Sequence, residues 1–466
     1  MSGRELDQRL VSAVRTGDAD AVRALLDEGA DPNAVDADGG LPVLCAAVAT
    51  YDDPVAEALM DGGADPDREL PDGSTPLWRA LESGSPAVFT TVLGKEPLLR
   101  LPEQERERLL TRARSWYETG AVEELRRRTG ARGPAVPVRV TDGEYDWVDR
   151  YALGGLVVRA GHGAILTCLE WSFRILTPVD ELIGRAVVVP DEAHVDWSGA
   201  CFILLERHCQ ETWSATLTHR DHPEPAHRHF VADYLRTRGI IENDSPFVER
   251  EREFLICWAA EEPDSAVLAE VLEALVEYRH PCLEATGLRH AGHRDPHVRR
   301  RSAAVLASSG ARSPETGAAL LALLGDPHAA VRLEACRAGL EDDTLLAPAA
   351  VELIHLVAGP YDDLRYTAAG ALASSRDRTP AVADALATLL DESAQLVRLE
   401  AAYGLALRDD PRTGEAIERV GTLDSGFEYD HRARALWDWL DEGSRPGRLQ
   451  GFDAGRDRSG SCDPTW

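Results

Sequence analysis

The stretch of this sequence that most suggests chemistry is a run of histidines near its middle. It contains His219 and His222 in a His-x-x-His spacing and His227 and His229 in a His-x-His spacing, with carboxylates between them. Imidazole groups at such spacings on a loop can hold zinc or iron. The alternative is an ordinary turn between helices, because Asp221 precedes its histidine much as Asp295 and Asp326 precede theirs. We expect the turn, and we predict no metal site and no cofactor.

The sequence contains none of the common enzyme motifs that we searched for. There is no Gly-rich phosphate loop, no Gly-x-Ser-x-Gly elbow and no His-Glu-x-x-His helix. A catalytic site would therefore have to be assembled from isolated residues. We expect a protein that is not an enzyme, and we assign no catalytic residue.

Regularly spaced arginines mark the second half of the chain. The first four follow one another at equal intervals, and the fifth comes one position later than that interval predicts: Arg299, Arg332, Arg365, Arg398 and Arg432. A fixed period of this length indicates a solenoid of stacked repeats. The arginines themselves are open to two interpretations, an anion-binding ladder or a structural element of each repeat.

A second period occupies the amino-terminal part. Residues 29–33 read Gly-Ala-Asp-Pro-Asn and residues 63–67 repeat them as Gly-Ala-Asp-Pro-Asp, while Asp38-Gly39 recurs as Asp72-Gly73. Residues 75–78, Thr-Pro-Leu-Trp, complete a pattern that resembles the ankyrin repeat. The resemblance implies pairs of antiparallel helices joined by tight turns.

The segments around the regular arginines are similar to the HEAT repeat. Residues 295–299 read Asp-Pro-His-Val-Arg, and residues 326–332 contain the same elements. The likeness is to the short bacterial form that is also found in phycobilin-lyase-like proteins. It implies that the turn aspartates cap helices and that the arginines pair with them across neighbouring repeats: Asp295, Asp326, Asp362 and Asp391.

Together the two periods predict an all-α tandem-repeat solenoid. We expect an ankyrin domain at 1–129, a linker with a small β element and a helix at 130–179, a HEAT domain at 180–441, and a disordered tail at 442–466. The β element is predicted as a short hairpin, because β-branched and aromatic residues surround Gly154 and Gly155.

Charge restricts the partners. The chain has 50 basic and 80 acidic residues, a net charge of -30, and Lys95 is its only lysine. Such a field repels phosphate backbones and anionic lipid, so we expect no extended nucleic acid and no membrane. The amino terminus lacks the pattern of a secretory signal, and the eight cysteines form no Cys-x-x-Cys pair. We expect a cytoplasmic protein with reduced thiols and a basic protein or peptide as partner.

The HEAT resemblance places the second helix of each repeat on the concave side, and helix periodicity nominates its outward positions as a binding groove. The candidate residues are Glu334, Arg337, Glu341, Tyr366, Glu400, Tyr403, Arg434 and Trp437. The function that we predict is a non-catalytic scaffold or adaptor. Two alternatives remain open, an accessory subunit or enzyme of a modification pathway and an immunity-type inhibitor of a basic toxin. The sequence does not determine the oligomeric state.

Overall fold

A computed structural model describes residues 3–35, 40–242, 246–423, 425–427 and 429–442. The protein is mostly helical, at 67%, and its described part contains 26 α-helices and one small sheet. The chain divides into two compact units between Tyr234 and Leu235, which are called unit 1 and unit 2 below. The division lies inside the segment 180–441 that the sequence assigns to HEAT repeats.

Unit 1 begins with short paired helices. Their bounds are α1 (Gly3–Thr16), α2 (Ala19–Asp27), α3 (Val43–Thr50), α4 (Asp53–Asp61), α5 (Pro76–Ser83), α6 (Pro86–Leu93), α7 (Pro97–Arg100), α8 (Glu103–Thr119) and α9 (Ala121–Thr129). Side chains at the caps satisfy the first amides: Asp18 accepts from the Ala21 amide at 2.9 Å, and Thr75 accepts from the Trp78 amide at 3.1 Å. Alanines such as Ala47 and Ala80 are fully buried between neighbouring helices.

The predicted hairpin is present and belongs to a sheet of three antiparallel strands. The strands are β1 (Val138–Asp142), β2 (Asp146–Leu153) and β3 (Leu156–Arg159), in the order β1-β2-β3. Gly154 and Gly155 form the β2–β3 turn with φ of 59° and 85°, which only glycine adopts without strain. The strand β1 is an addition to the prediction, which treated its residues as linker.

Buried carboxylates cap two helices of unit 1. Asp142 in β1 accepts from the Ala87 amide at 2.9 Å and so caps α6. Asp196 accepts from the Ala164 amide at 2.6 Å, at the start of the helix after the sheet. Burial raises the pKa of Asp196 to about 7. Because a helix amino terminus carries unpaired amides, each carboxylate fixes the position of the helix that it caps.

The rest of unit 1 consists of α10 (His162–Ser172), α11 (Val179–Ala186), α12 (Val195–Glu206), α13 (Gln210–Thr218), a 3-10 turn at His219–Asp221, and α14 (Pro225–Ile241), within which the chain divides. No helix in the described ranges is long and apolar enough to cross a membrane.

Unit 2 is a series of helix pairs. The first helices of the pairs are α15 (Val248–Glu261), α17 (Glu284–His290), α19 (Pro314–Leu324), α21 (Leu346–Ala358), α23 (Pro380–Leu389) and α25 (Thr413–Val420). The second helices are α16 (Ser265–Glu277), α18 (Pro296–Ser309), α20 (Ala329–Gly339), α22 (Asp362–Ser374), α24 (Gln395–Ala406) and α26 (His431–Glu442). Each second helix packs on the next one, and a buried apolar cluster runs from Ala303 to Leu436. Short 3-10 turns lie at Pro281–Leu283 and Ser425–Phe427.

Two sequence predictions fall outside the described residues. One is the first ankyrin turn, Asp38-Gly39, and the other is the disordered tail after Glu442, the last residue of α26. The division of unit 1 into ankyrin, linker and HEAT segments at 129 and 179 stays a prediction.

We expect Gly84→Ala to destabilise unit 1 much more than Gly73→Ala. Both glycines have positive φ, so each substitution costs roughly 1 kcal/mol of backbone strain. A Cβ at Gly84 would lie 1.8 Å from the Arg159 carbonyl oxygen, whereas nothing lies within 4 Å of one at Gly73. The clash adds roughly 2 kcal/mol or more.

Urea unfolding of the full chain, followed by tryptophan fluorescence, measures the difference between these two variants. Equal losses of unfolding free energy would contradict the packing of β3 against the end of α5.

Candidate protein-binding groove

The regular arginines close the turns that precede their own helices. In four of them, and in Arg228 at the equivalent place in unit 1, the guanidinium donates to the backbone carbonyl six residues earlier. The pairs are Arg228 with His222 at 2.9 Å, Arg299 with His293 at 2.9 Å, Arg332 with Asp326 at 2.9 Å, Arg365 with Gly359 at 3.0 Å, and Arg398 with Glu392 at 2.7 Å. These contacts satisfy carbonyls that the helix cannot reach.

The same guanidinium also reaches the next repeat. Arg299 donates to both carboxylate oxygens of Asp326, at 2.6 and 2.9 Å, and Asp326 accepts from the His328 amide at 2.9 Å. Although burial acts to raise it, these hydrogen bonds lower the pKa of Asp326. The arginine series is therefore structural, and it leaves no ladder of guanidinium groups for an anion.

A groove of about 690 Å³ lies in unit 2, where the carboxyl-terminal ends of α16, α18, α20 and α22 meet. Small side chains such as Ala307 and Ala371 are among its lining residues. Three of the eight predicted groove residues line it: Glu334, Arg337 and Glu341. The others that line its charged rim are Arg279 and Arg376.

Most charges at this rim are already paired. Arg337 contacts Glu334 at 3.2 Å, and Arg376 contacts Asp343 at 3.1 Å. Glu341 is exposed, and among the described residues its carboxylate has no ion-pair or hydrogen-bond partner. Four helix carboxyl termini add their negative partial charge to that carboxylate. The groove therefore offers a cation one free carboxylate and the partial negative charge of helix ends, beside the guanidinium groups of Arg279, Arg337 and Arg376 that also line it.

Arginines of the chain itself satisfy carbonyls at these helix ends. Arg312 donates to the Glu341 carbonyl, and Arg376 donates to the Leu340 carbonyl at 3.3 Å. Farther along, Arg408 donates to the Ala373 and Gly404 carbonyls, both at 2.7 Å, and burial lowers the pKa of Arg408 to about 10.

This second set of arginines was not predicted, although the sequence contains a signal for part of it. Arg312 follows Arg279 by the same interval that separates Arg299 from Arg332, and Arg378 follows Arg312 by twice that interval. That spacing would have found Arg312 and also Arg378, whose guanidinium donates to the Leu407 carbonyl, but it would have missed Arg376 and Arg408.

The other five predicted groove residues do not line this groove. Glu400 was expected to face outwards, but it is buried and accepts from Arg432 at 2.6 Å, and Tyr366 accepts from the same guanidinium at 2.9 Å. The rings of Tyr403 and His431 lie 5.4 Å apart, edge to face. On α26, Arg434 is exposed and Trp437 is half-buried.

The structure brings three of the four candidate histidines together. The rings of His222 and His227 are stacked with centroids 3.6 Å apart, and the ring of His219 lies 5.8 Å from that of His227. Burial, then the neighbouring imidazoles, lower the pKa of His227. The fourth, His229, points elsewhere and contacts Glu192 at 2.9 Å.

We expect Glu400→Lys to lower the free energy of unfolding by about 3–5 kcal/mol, because it sets a second cation against the buried Arg432. Glu341→Lys is the matched control, since it reverses an exposed charge and should change stability by less than about 0.5 kcal/mol. Chemical denaturation of both variants tests the assignment, and an equally small effect of Glu400→Lys would show that the Glu400–Arg432 pair does not form.

Comparison with known proteins identifies both repeat types. A family model described as HEAT repeats matches residues 252–341, and a model described as ankyrin repeats in three copies matches residues 10–99. Among solved structures, the X-ray structure of YibA from Escherichia coli is 17% identical, with a TM-score of 0.40, over 56% of this chain and 91% of that one. No curated protein was found to match significantly. The chain therefore contains ankyrin repeats at residues 10–99 and HEAT repeats at residues 252–341, which are repeat types typical of protein-binding scaffolds.

Proposed function

We propose that this protein is a non-catalytic scaffold whose HEAT repeats bind a basic protein segment in the groove at the ends of α16, α18, α20 and α22. The observation that carries the proposal is the convergence of four helix carboxyl termini on one groove, next to the unpaired carboxylate of Glu341. Exposed carbonyls and a carboxylate stabilise a bound cation.

Charge at longer range supports the same choice of partner. The net charge of -30 attracts a basic segment and accelerates its encounter with the groove, and it repels an acidic one. Attraction of this kind weakens as salt is added, because the Debye length shortens.

The chain's own contacts supply a model for the recognition. Arg312 and Arg376 donate guanidinium hydrogens to carbonyls at the rim, at Glu341 and Leu340. An arginine of the partner would use neighbouring carbonyls in the same way and would pair with the Glu341 carboxylate. The small side chains that line the groove leave room for an extended backbone.

A purified-protein peptide selection tests the proposal. Peptides selected from a random library on the full chain should be rich in arginine or lysine. Glu341→Lys should weaken their binding about fivefold or more, which corresponds to about 1 kcal/mol. Glu418→Lys makes the same change of net charge at an exposed site on α25, so it should leave the affinity within about twofold. Fluorescence anisotropy measures all three affinities.

Two results would contradict the proposal. One is equal binding by the wild type and Glu341→Lys. The other is enrichment of acidic peptides whose binding is lost in Arg279→Glu, since Arg279 is an exposed cation at the rim.

A further inference from the structure

The histidine cluster lies in unit 1, on the turn between α13 and α14, and none of its residues lines the groove of unit 2. Arg228 donates to the His222 carbonyl and closes this turn as the other regular arginines close theirs. The turn is therefore a member of the repeat series, and its residues can be compared with the equivalent positions of the other repeats.

That comparison singles out His227. It directly precedes the regular arginine, at the position where three other repeats have a buried valine: Val298, Val331 and Val397. An apolar side chain there contributes to the core. Replacing it by an imidazole puts a polar ring where burial is costly unless a partner satisfies it.

Within the described residues, no hydrogen-bond partner is present for that ring's enclosed nitrogen. The Nδ1 atom of His227 is buried and makes no hydrogen bond, although its side chain is 13% exposed, and the nearest recorded carboxylate contact is Glu224 Oε2 at 3.6 Å. The Nδ1 atom of His219 is likewise buried and unpaired, on a side chain that is only 10% exposed. The cluster therefore contains two buried imidazole nitrogens without hydrogen-bond partners. A bound metal ion would satisfy such nitrogens by accepting their lone pairs.

We propose that His222, Glu224 and His227 bind one zinc ion or a similar divalent transition metal. Each residue offers one ligand atom, and the three atoms lie within 4.8 Å of one another. Zinc bonds to nitrogen and oxygen at about 2.0–2.1 Å, so two ligands of a tetrahedral ion lie about 3.4 Å apart. The 3.6 Å between His227 Nδ1 and Glu224 Oε2 already fits that geometry.

The third ligand, His222, has to change its ring orientation before it can bind the ion. His222 Nδ1 accepts from the Glu224 amide at 3.2 Å, and its ring is stacked on His227, so binding turns the ring out of this stack. Neutral imidazoles are the form that binds a metal ion. The site keeps a fourth position for water or for His219, whose Nε2 otherwise contacts Asp180 at 2.9 Å.

Zinc titration of the full chain tests this site. The affinity tag is removed, the protein is stripped with chelator, and zinc chloride is added in competition with a chromophoric chelator. We expect one zinc ion per chain. Removal of a ligand should weaken binding by at least the roughly 10–100-fold that loss of an outer-shell partner costs, in both His227→Val and Glu224→Gln.

His227→Val is the sharper variant because it installs the residue that the other repeats carry at this position. Its fold should survive, and in chelator its melting temperature should equal or exceed that of the wild type. Zinc should raise the melting temperature of the wild type and not that of His227→Val. His297→Ala, which removes an exposed histidine from an equivalent turn in unit 2, should bind zinc like the wild type.

Absence of stoichiometric binding to the wild type would overturn the proposal. Zinc affinity in His227→Val equal to that of the wild type would overturn it as well. Neither result bears on the groove, which is tested separately by peptide binding.

Discussion

The structure of the HEAT repeats depends on one requirement, the satisfaction of the backbone carbonyls in each turn between helices. In four repeats of unit 2 one arginine meets it by reaching back six residues, as Arg299 does to His293 and Arg398 to Glu392. The rest of the guanidinium is then free to contact the following repeat, as Arg299 contacts Asp326. Because one guanidinium makes both contacts, a lysine at position 299 could not reproduce them.

Unsatisfied backbone carbonyls also determine the properties of the groove, which lies at the carboxyl-terminal ends of the second helices. Helix carboxyl termini leave their last carbonyls without intrahelical partners, and here arginines from neighbouring repeats take up some of them. Arg408 is the fullest example, because its guanidinium donates to several backbone carbonyls and burial lowers its pKa to about 10. A surface that already binds guanidinium groups of its own chain is suited to receive another from a partner.

The repeats were predictable because their signals are local and periodic: the aspartate caps, the arginine spacing and the alanine-rich helices all lie within the length of one repeat. Strand β1 was not predictable. Its pairing of Val138 with Arg150 is a contact between strands, and the proline-containing sequence around Val138 does not indicate a strand. Helix periodicity placed Glu334 at an outward position, and in the structure it lines the groove. It misplaced Glu400, which occupies the same register, because Arg432 in the next repeat covers it. Contacts between repeats cannot be predicted from the periodicity of a single helix.

Amide hydrogen exchange of the full chain, with and without a selected basic peptide, tests most directly whether the groove is the binding surface. Binding there predicts slower exchange at the ends of α18, α20 and α22, near residues 304–310, 334–341 and 371–376, with no change in the first helices α19, α21 and α23. Protection confined to those first helices, or to unit 1, would contradict a peptide-binding role for this groove.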